Sequence, residues 1–244
     1  TPDFLTPLVR ACQKDRRIGC VQPEMRVMDE PTRIDEAGGY LTIAGFLYHY
    51  GYRKNHTLPM YRNTRRIFSA KGACMLIPKT VFTKVGRFDE DFFIFFEETD
   101  LCYRMWLAGY TLLYMPQSHI FHVAGGDTTS TYDYERRMYL TFKNMNCSFL
   151  KNFDWLSLLT IYPLFFGAQI VLIVNFALRC RFGVAHAIMR GQWWNIVHLA
   201  ATLAKRRYIQ AHLRQVSDRK LWKYILYNPG ISYFVLLDAK KYTD

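Results

Sequence analysis

The sequence predicts an α/β fold in which a mixed sheet is followed by a helical, basic C-terminal region. Three observations carry this. Up to Thr131, short β-branched and aromatic runs alternate with stretches of helical period. From Tyr132 onward the pattern becomes helical and basic. Half of the 244 residues are hydrophobic, enough for a sizeable core. The expected organisation is one unit over residues 1–131 and a helical membrane-associating region over residues 132–244.

TPDFLTPLVRACQKD opens as an amphipathic helix, with Pro2 at its entry and Phe4, Leu5, Leu8 and Val9 as an apolar stripe. It does not have the make-up of a signal peptide. IGCVQPEMRV (Ile18 to Val27) follows as a strand. The paired glycines, aromatics and polar turns of residues 33–63 predict hairpins and a long loop. IFSAKGACMLIP (Ile67 to Pro78) is expected to be a strand, Pro78 to Lys84 a short helix, and VGRFDED a turn. Phe92 to Phe96 are expected to be extended. A helix over Glu98 to Ala108 is stopped by Gly109. TLLYMP and SHIFHV are expected as two further strands.

Beyond Tyr132, TYDYERRMYLTFKNM predicts one helix. Trp155 to Leu178 carries no charge, and a bilayer-crossing helix needs about 20 apolar residues. Pro163, Gln169 and Asn175 interrupt the run. Arg179, Arg181, Arg190, Lys205, Arg206 and Arg207 follow it, which suits an anionic membrane face. A buried helix remains the alternative. Where the helix does meet a membrane, an interfacial or re-entrant hairpin is favoured over a span.

The formal net charge of +12 admits nucleic acid, anionic membrane or phosphate-bearing partners. Nucleic acid is disfavoured, because the aromatics do not interleave with Lys and Arg as a stacking surface would. The six cysteines, at 12, 20, 74, 102, 147 and 180, form no Cys-x-x-Cys pair and fit a reducing compartment.

The stretch FFIFFEETD concentrates Glu97, Glu98 and Asp100 after an apolar run. A helix start stabilises negative charge, and Asp100 and Arg104 are spaced to pair along it. A rigid junction at a cleft edge would also let Glu97 or Glu98 act as a general base. A helix cap with solvated carboxylates is the plainer alternative. His119 and His122, three apart, precede Gly125-Gly126, which would let the backbone approach a ligand closely.

Gly72 to Gly126 resembles the acceptor-side half of the family 2 glycosyltransferases, in their rhamnosyltransferase-like branch. The resemblance rests on Gly72-Ala73, Gly86, Phe88-Asp89-Glu90, Phe92-Phe93, Glu97-Glu98, Asp100-Leu101, Arg104, Ala108-Gly109-Tyr110, Pro116 and His122, in order. VQPEMR and IDEAGG are also similar to this branch, and the C-terminal helices to its membrane-associating tail. The resemblance implies a Rossmann-like GT-A fold. It also implies inverting transfer of a sugar from a nucleotide-sugar donor to a hydroxyl of a lipid-linked or polysaccharide acceptor. It assigns the base to Glu98, where the family carries Asp, with Glu97 as nearest substitute. It makes His122 a metal ligand for Mg or Mn. Gly72 and Ala73 would admit the acceptor, and Arg104 would support that site while holding the base helix with Asp100. The family's nucleotide-binding half and its Asp-x-Asp pair have no counterpart in this sequence. The expectation is therefore a partial GT-A fold at the cytoplasmic face of the cell membrane. A non-catalytic membrane-binding or scaffold remnant is the alternative.

Overall fold

The computed structural model describes residues 3–123 and 131–229, so Pro2 and the Gly125-Gly126 pair lie outside the described residues. Helix α1 (Leu5–Lys14) lies on strand β1 (Ile18–Val27), where Leu8, Ile18 and Val21 form a small apolar cluster. Strand β2 (Ile34–Glu36) pairs antiparallel with β1, and β3 (Gly39–Leu41) pairs with β4 (Leu47–His49) as a hairpin. Then come β5 (Arg65–Arg66), α2 (Lys79–Val85), α3 (Glu97–Leu107) and β6 (Thr111–His122). The main sheet has the order β2-β1-β6-β5. Its β1–β6 pair is parallel and the other two are antiparallel, so the sheet is mixed. A parallel centre must be covered on both faces, and β1 is buried over nearly its whole length.

Three local expectations are corrected. Ile67 to Pro78 is not a continuous strand. It touches β3 at Ser69 and β1 at Leu76, with a turn over Lys71–Cys74 between. Phe92 to Phe96 are bent rather than extended, and Phe95 and Phe96 both take left-handed backbone at φ +68° and +69°. TLLYMP and SHIFHV are one strand. Its ladder skips from Met115 opposite Pro23 to His119 opposite Glu24. Pro23 and Pro116 cannot donate to a ladder, which accounts for a bulge there instead of a break.

The helical region follows as α4 (Tyr134–Asn152), α5 (Trp155–Leu178), α6 (Phe182–Val197), α7 (Leu199–Tyr208) and α8 (Asp218–Ile225). One core runs from Leu101, Tyr103 and Tyr114 through Phe149 and Phe165 to Ile188 and Leu221. Phe149 stacks on Phe153 at 4.6 Å and meets Phe96 edge-on at 5.7 Å.

Ion pairs cross the same seam. Asp89, in the turn before the aromatic run, binds Lys151 of α4 and Lys205 of α7, and Lys205 also reaches Asp91 at 2.7 Å. Burial by itself would raise the Asp89 carboxyl, but Lys151 and Lys205 outweigh it and hold it well below the usual carboxylate range. A folded value below the unfolded one, about 3.9, gives stability that is present above that value and lost as pH falls through the folded one. Asp89→Asn is therefore expected to lower the urea midpoint at neutral pH. Its gap to the parent should close as pH drops below about 4. A gap that stays constant into strong acid would show that Asp89 carries no such linkage.

Candidate active site

Helix α3 presents Glu97 and Glu98 in its first turn, and its N-cap residue Phe96 makes no side-chain capping bond. The entry is strained, because consecutive left-handed non-glycine residues each cost about 1–3 kcal/mol. It is held from α4, where Asn144 Nδ2 donates to the carbonyls of Ile94 (2.9 Å) and Phe95 (2.6 Å). Lys143 Nζ donates to the Asp91 carbonyl at 2.5 Å. On the other side, the Thr99 and Ser69 hydroxyls share a 2.8 Å hydrogen bond. The first turn of α3 is thus clamped between the sheet and α4.

Glu97 and Glu98 adjoin in this first turn, and the Oε2 atom of each is enclosed without a partner. Burial, then the Glu97 charge, pushes the Glu98 carboxyl well above the usual range. Burial also raises Glu97. Two adjoining carboxyls that resist joint ionisation, with bonding capacity unused, are suited to exchanging a proton with a hydroxyl. The exposed Gly72-Ala73 turn lies over Glu98, and a Cβ on Gly72 would stand 3.8 Å from the Glu98 side chain.

Around the pair lies a polar group of which the sequence singled out only His122. Lys71 Nζ meets Asp35 Oδ2 at 2.6 Å, and His122 Nδ1 meets the same oxygen at 2.9 Å. Burial would lower the Lys71 ammonium, yet Glu36, Asp35 and Glu98 outweigh it and raise it. His49 Nδ1 pairs with Glu36 at 2.6 Å. Gln22 ties the floor together. Its Nε2 donates to the Glu36 carbonyl (3.1 Å) and its Oε1 accepts from the Lys71 N–H (2.8 Å). The signals were present but thin. Asp35 and Glu36 stand in IDEAGG, and Lys71 immediately precedes Gly72.

Asp100 and Arg104 face away from this group. Asp100 is fully buried, and Arg104 donates to it at 3.0 Å. The Arg104 guanidinium also donates to the carbonyls of Val85, Gly86 and Arg87. These bonds fix the Gly86 turn, whose φ of +81° favours glycine. Arg104 is therefore placed to position α3 and not to touch an acceptor, and Asp100 anchors the same helix.

His119 and His122 lie three positions apart on one strand, so they point to opposite faces. Among the described residues no group of three or more His, Cys, Asp or Glu side chains could hold a metal. His122 offers its remaining ring nitrogen and Asp35 its unpartnered Oδ1, while Lys71 already places a cation on Oδ2. The described residues therefore do not by themselves assemble a site for Mg or Mn.

The family described as glycosyl transferase family group 2 matches residues 1–208. The chain is 35% identical over 91 residues to the rhamnosyltransferase WbbL of Escherichia coli (strain K12), covering 35% of this chain and 34% of that protein. It is 27% identical over 135 residues to a low-salt glycan biosynthesis hexosyltransferase of Haloferax volcanii, covering 52% and 44%. It is 37% identical over 51 residues to an N-acetylglucosaminyl-diphospho-decaprenol L-rhamnosyltransferase of Mycobacterium tuberculosis, covering 21% and 17%. The chain thus spans less than half the length of these curated relatives. A solved structure of GalNAc-T7 with UDP, GalNAc and Mn2+ aligns with a TM-score of 0.38 at 20% identity, over 49% of this chain and 24% of that one.

Proposed function

Since the chain belongs to glycosyl transferase family group 2, we propose that it serves inverting transfer of a sugar from a nucleotide-sugar donor to an acceptor hydroxyl. The observation that carries this is the enclosed, partly unsatisfied Glu97–Glu98 pair beneath the Gly72-Ala73 turn. The acceptor oxygen attacks the anomeric carbon and its proton passes to the Glu98 carboxylate. The bond from that carbon to the diphosphate oxygen breaks, and the configuration inverts. Glu97 tunes the proton affinity of Glu98, while Asn144 and Arg104 keep α3 in place. The names of the relatives support a lipid-linked or glycan acceptor.

The test is transfer from a panel of radiolabelled nucleotide sugars to membrane lipid extract. Incorporation into the lipid fraction from at least one donor is expected. No transfer from any donor would leave a non-catalytic membrane module as the reading.

Membrane docking is part of the same proposal. Helix α5 buries Ile161, Phe165 and Phe176 together with two polar side chains and leaves large apolar ones exposed. Its polar Ser157 and Gln169 face the core, while Leu159, Ile170, Val171, Val174 and Leu178 face outward. Its inner face packs on the globular core, and the turn at 179–181 returns the chain as α6, which fits an interfacial hairpin rather than a span. Val171→Lys should abolish co-flotation with lipid vesicles of any composition. Undiminished flotation would remove α5 from the docking role.

A further inference from the structure

A cavity of about 710 Å³ lies at the opposite end of α3 from Glu98, walled by Trp106, Tyr110 and Tyr224. At 1.5 Å per residue, α3 and its C-terminal turn separate the two by on the order of 15 Å. Four exposed cations line this cavity, Arg66 from β5 and Arg219, Lys220 and Lys223 from α8, and among the described residues no acidic side chain does. Asp218, in the first turn of α8, is turned inward, where its carboxylate accepts from Arg214 Nη1 and the Asp154 N–H. The Ser217 hydroxyl makes no capping bond. Charge and cavity therefore both favour an anion.

The position of the cavity decides which anion. Asp154 and Asp218 cap each other's helices, at 2.7 and 3.0 Å, so the N-terminal ends of α5 and α8 lie side by side. Helix α5 opens with Trp155, 71% exposed, and Arg206 lies over its ring at 4.7 Å. An exposed tryptophan at the end of an outward-facing apolar helix marks headgroup depth. A cationic cavity beside that end meets the phosphate layer when α5 lies in the interface.

We infer that this cavity binds the phosphate of an anionic membrane-lipid headgroup, at a site separate from the transfer site. The inference rests on the docking of α5 in the membrane. The experiment measures flotation of the full chain with phosphatidylcholine vesicles, with and without about one-third phosphatidylglycerol. Arg219→Gln/Lys220→Gln should weaken partition to the anionic vesicles about tenfold or more and leave the zwitterionic partition unchanged. Removing the same charge from exposed positions of α1, by Arg10→Gln/Lys14→Gln, should change neither partition by more than about twofold. Equal losses in the two double variants would mean diffuse surface charge and would overturn the site. Melting-temperature stabilisation by millimolar inorganic phosphate that requires Arg219 and Lys220, with flotation unaffected by them, would identify a soluble-phosphate site and also overturn it. If the parent floats with neither vesicle, the docking of α5 fails and this inference fails with it. If the parent floats and the cavity variants match it, this inference alone falls.

Discussion

Glu98→Gln is expected to lower kcat about a thousandfold, with KM for the donor changed by less than about threefold. Glutamine keeps the shape of the side chain and removes the group that takes the acceptor's proton. The fold should tolerate the exchange, because the Oε2 of Glu98 is enclosed without a partner and its ionised form is disfavoured by burial and by Glu97. The pH profile separates a catalytic from a structural role. A base whose carboxyl is raised is protonated at low pH, so kcat/KM should climb with pH along a limb above the usual carboxylate range. Glu97→Gln removes the neighbouring charge and should move that limb to lower pH while activity persists. Near-parental turnover by Glu98→Gln would take Glu98 out of the base role. A limb that Glu97→Gln leaves in place would show that the two carboxyls do not share a titration.

Asp100→Ala is expected to cost about 3–5 kcal/mol of stability in urea unfolding, the largest stability effect anticipated for the chain. The side chain is fully buried. Its Oδ2 takes Arg104 and Lys151, each at 3.0 Å, and its Oδ1 takes Ser148 (2.8 Å) and Asn152 (2.7 Å). Burial would raise this carboxyl, but Lys151 and Arg104 outweigh it and keep it ionised. Alanine leaves Arg104 short of its partner in a water-poor setting, whereas Lys151 retains Asp89. Asp100→Asn keeps the volume and part of the hydrogen bonding, so its loss should be smaller. If it folds, its kcat should fall only as far as α3 shifts. A loss below about 1 kcal/mol for Asp100→Ala would mean that water replaces the carboxylate at the hub.

The helix that carries the site was legible for local reasons. The acidic first turn of Glu97, Glu98 and Asp100, the i,i+4 pair with Arg104 and the stop at Gly109 are all written within thirteen residues. Gly109 takes φ +84°, as a C-terminal stop requires. The bounds of α5 at Trp155 and Leu178 were equally plain, because an uncharged run of that length has few other uses. Ile67 to Pro78 misled for the opposite reason. Its β-branched and apolar composition is that of a strand, but the partners that would complete a ladder reach it only at Ser69 and Leu76.

By itself, then, the sequence determined the α/β class, the position of the acidic turn and the apolar helix with its basic flank. Each is encoded by neighbours along the chain, through period, capping and charge. Only the tertiary structure decided that Asp35, Lys71 and His122 converge beside Glu98, and that Asn144 of α4 holds the strained entry to α3. It alone placed Arg104 on backbone carbonyls. It also decided that the helical region shares one core with the sheet. These are contacts across tens of residues, set by which faces pack and which buried charges must find partners, and no local pattern records them.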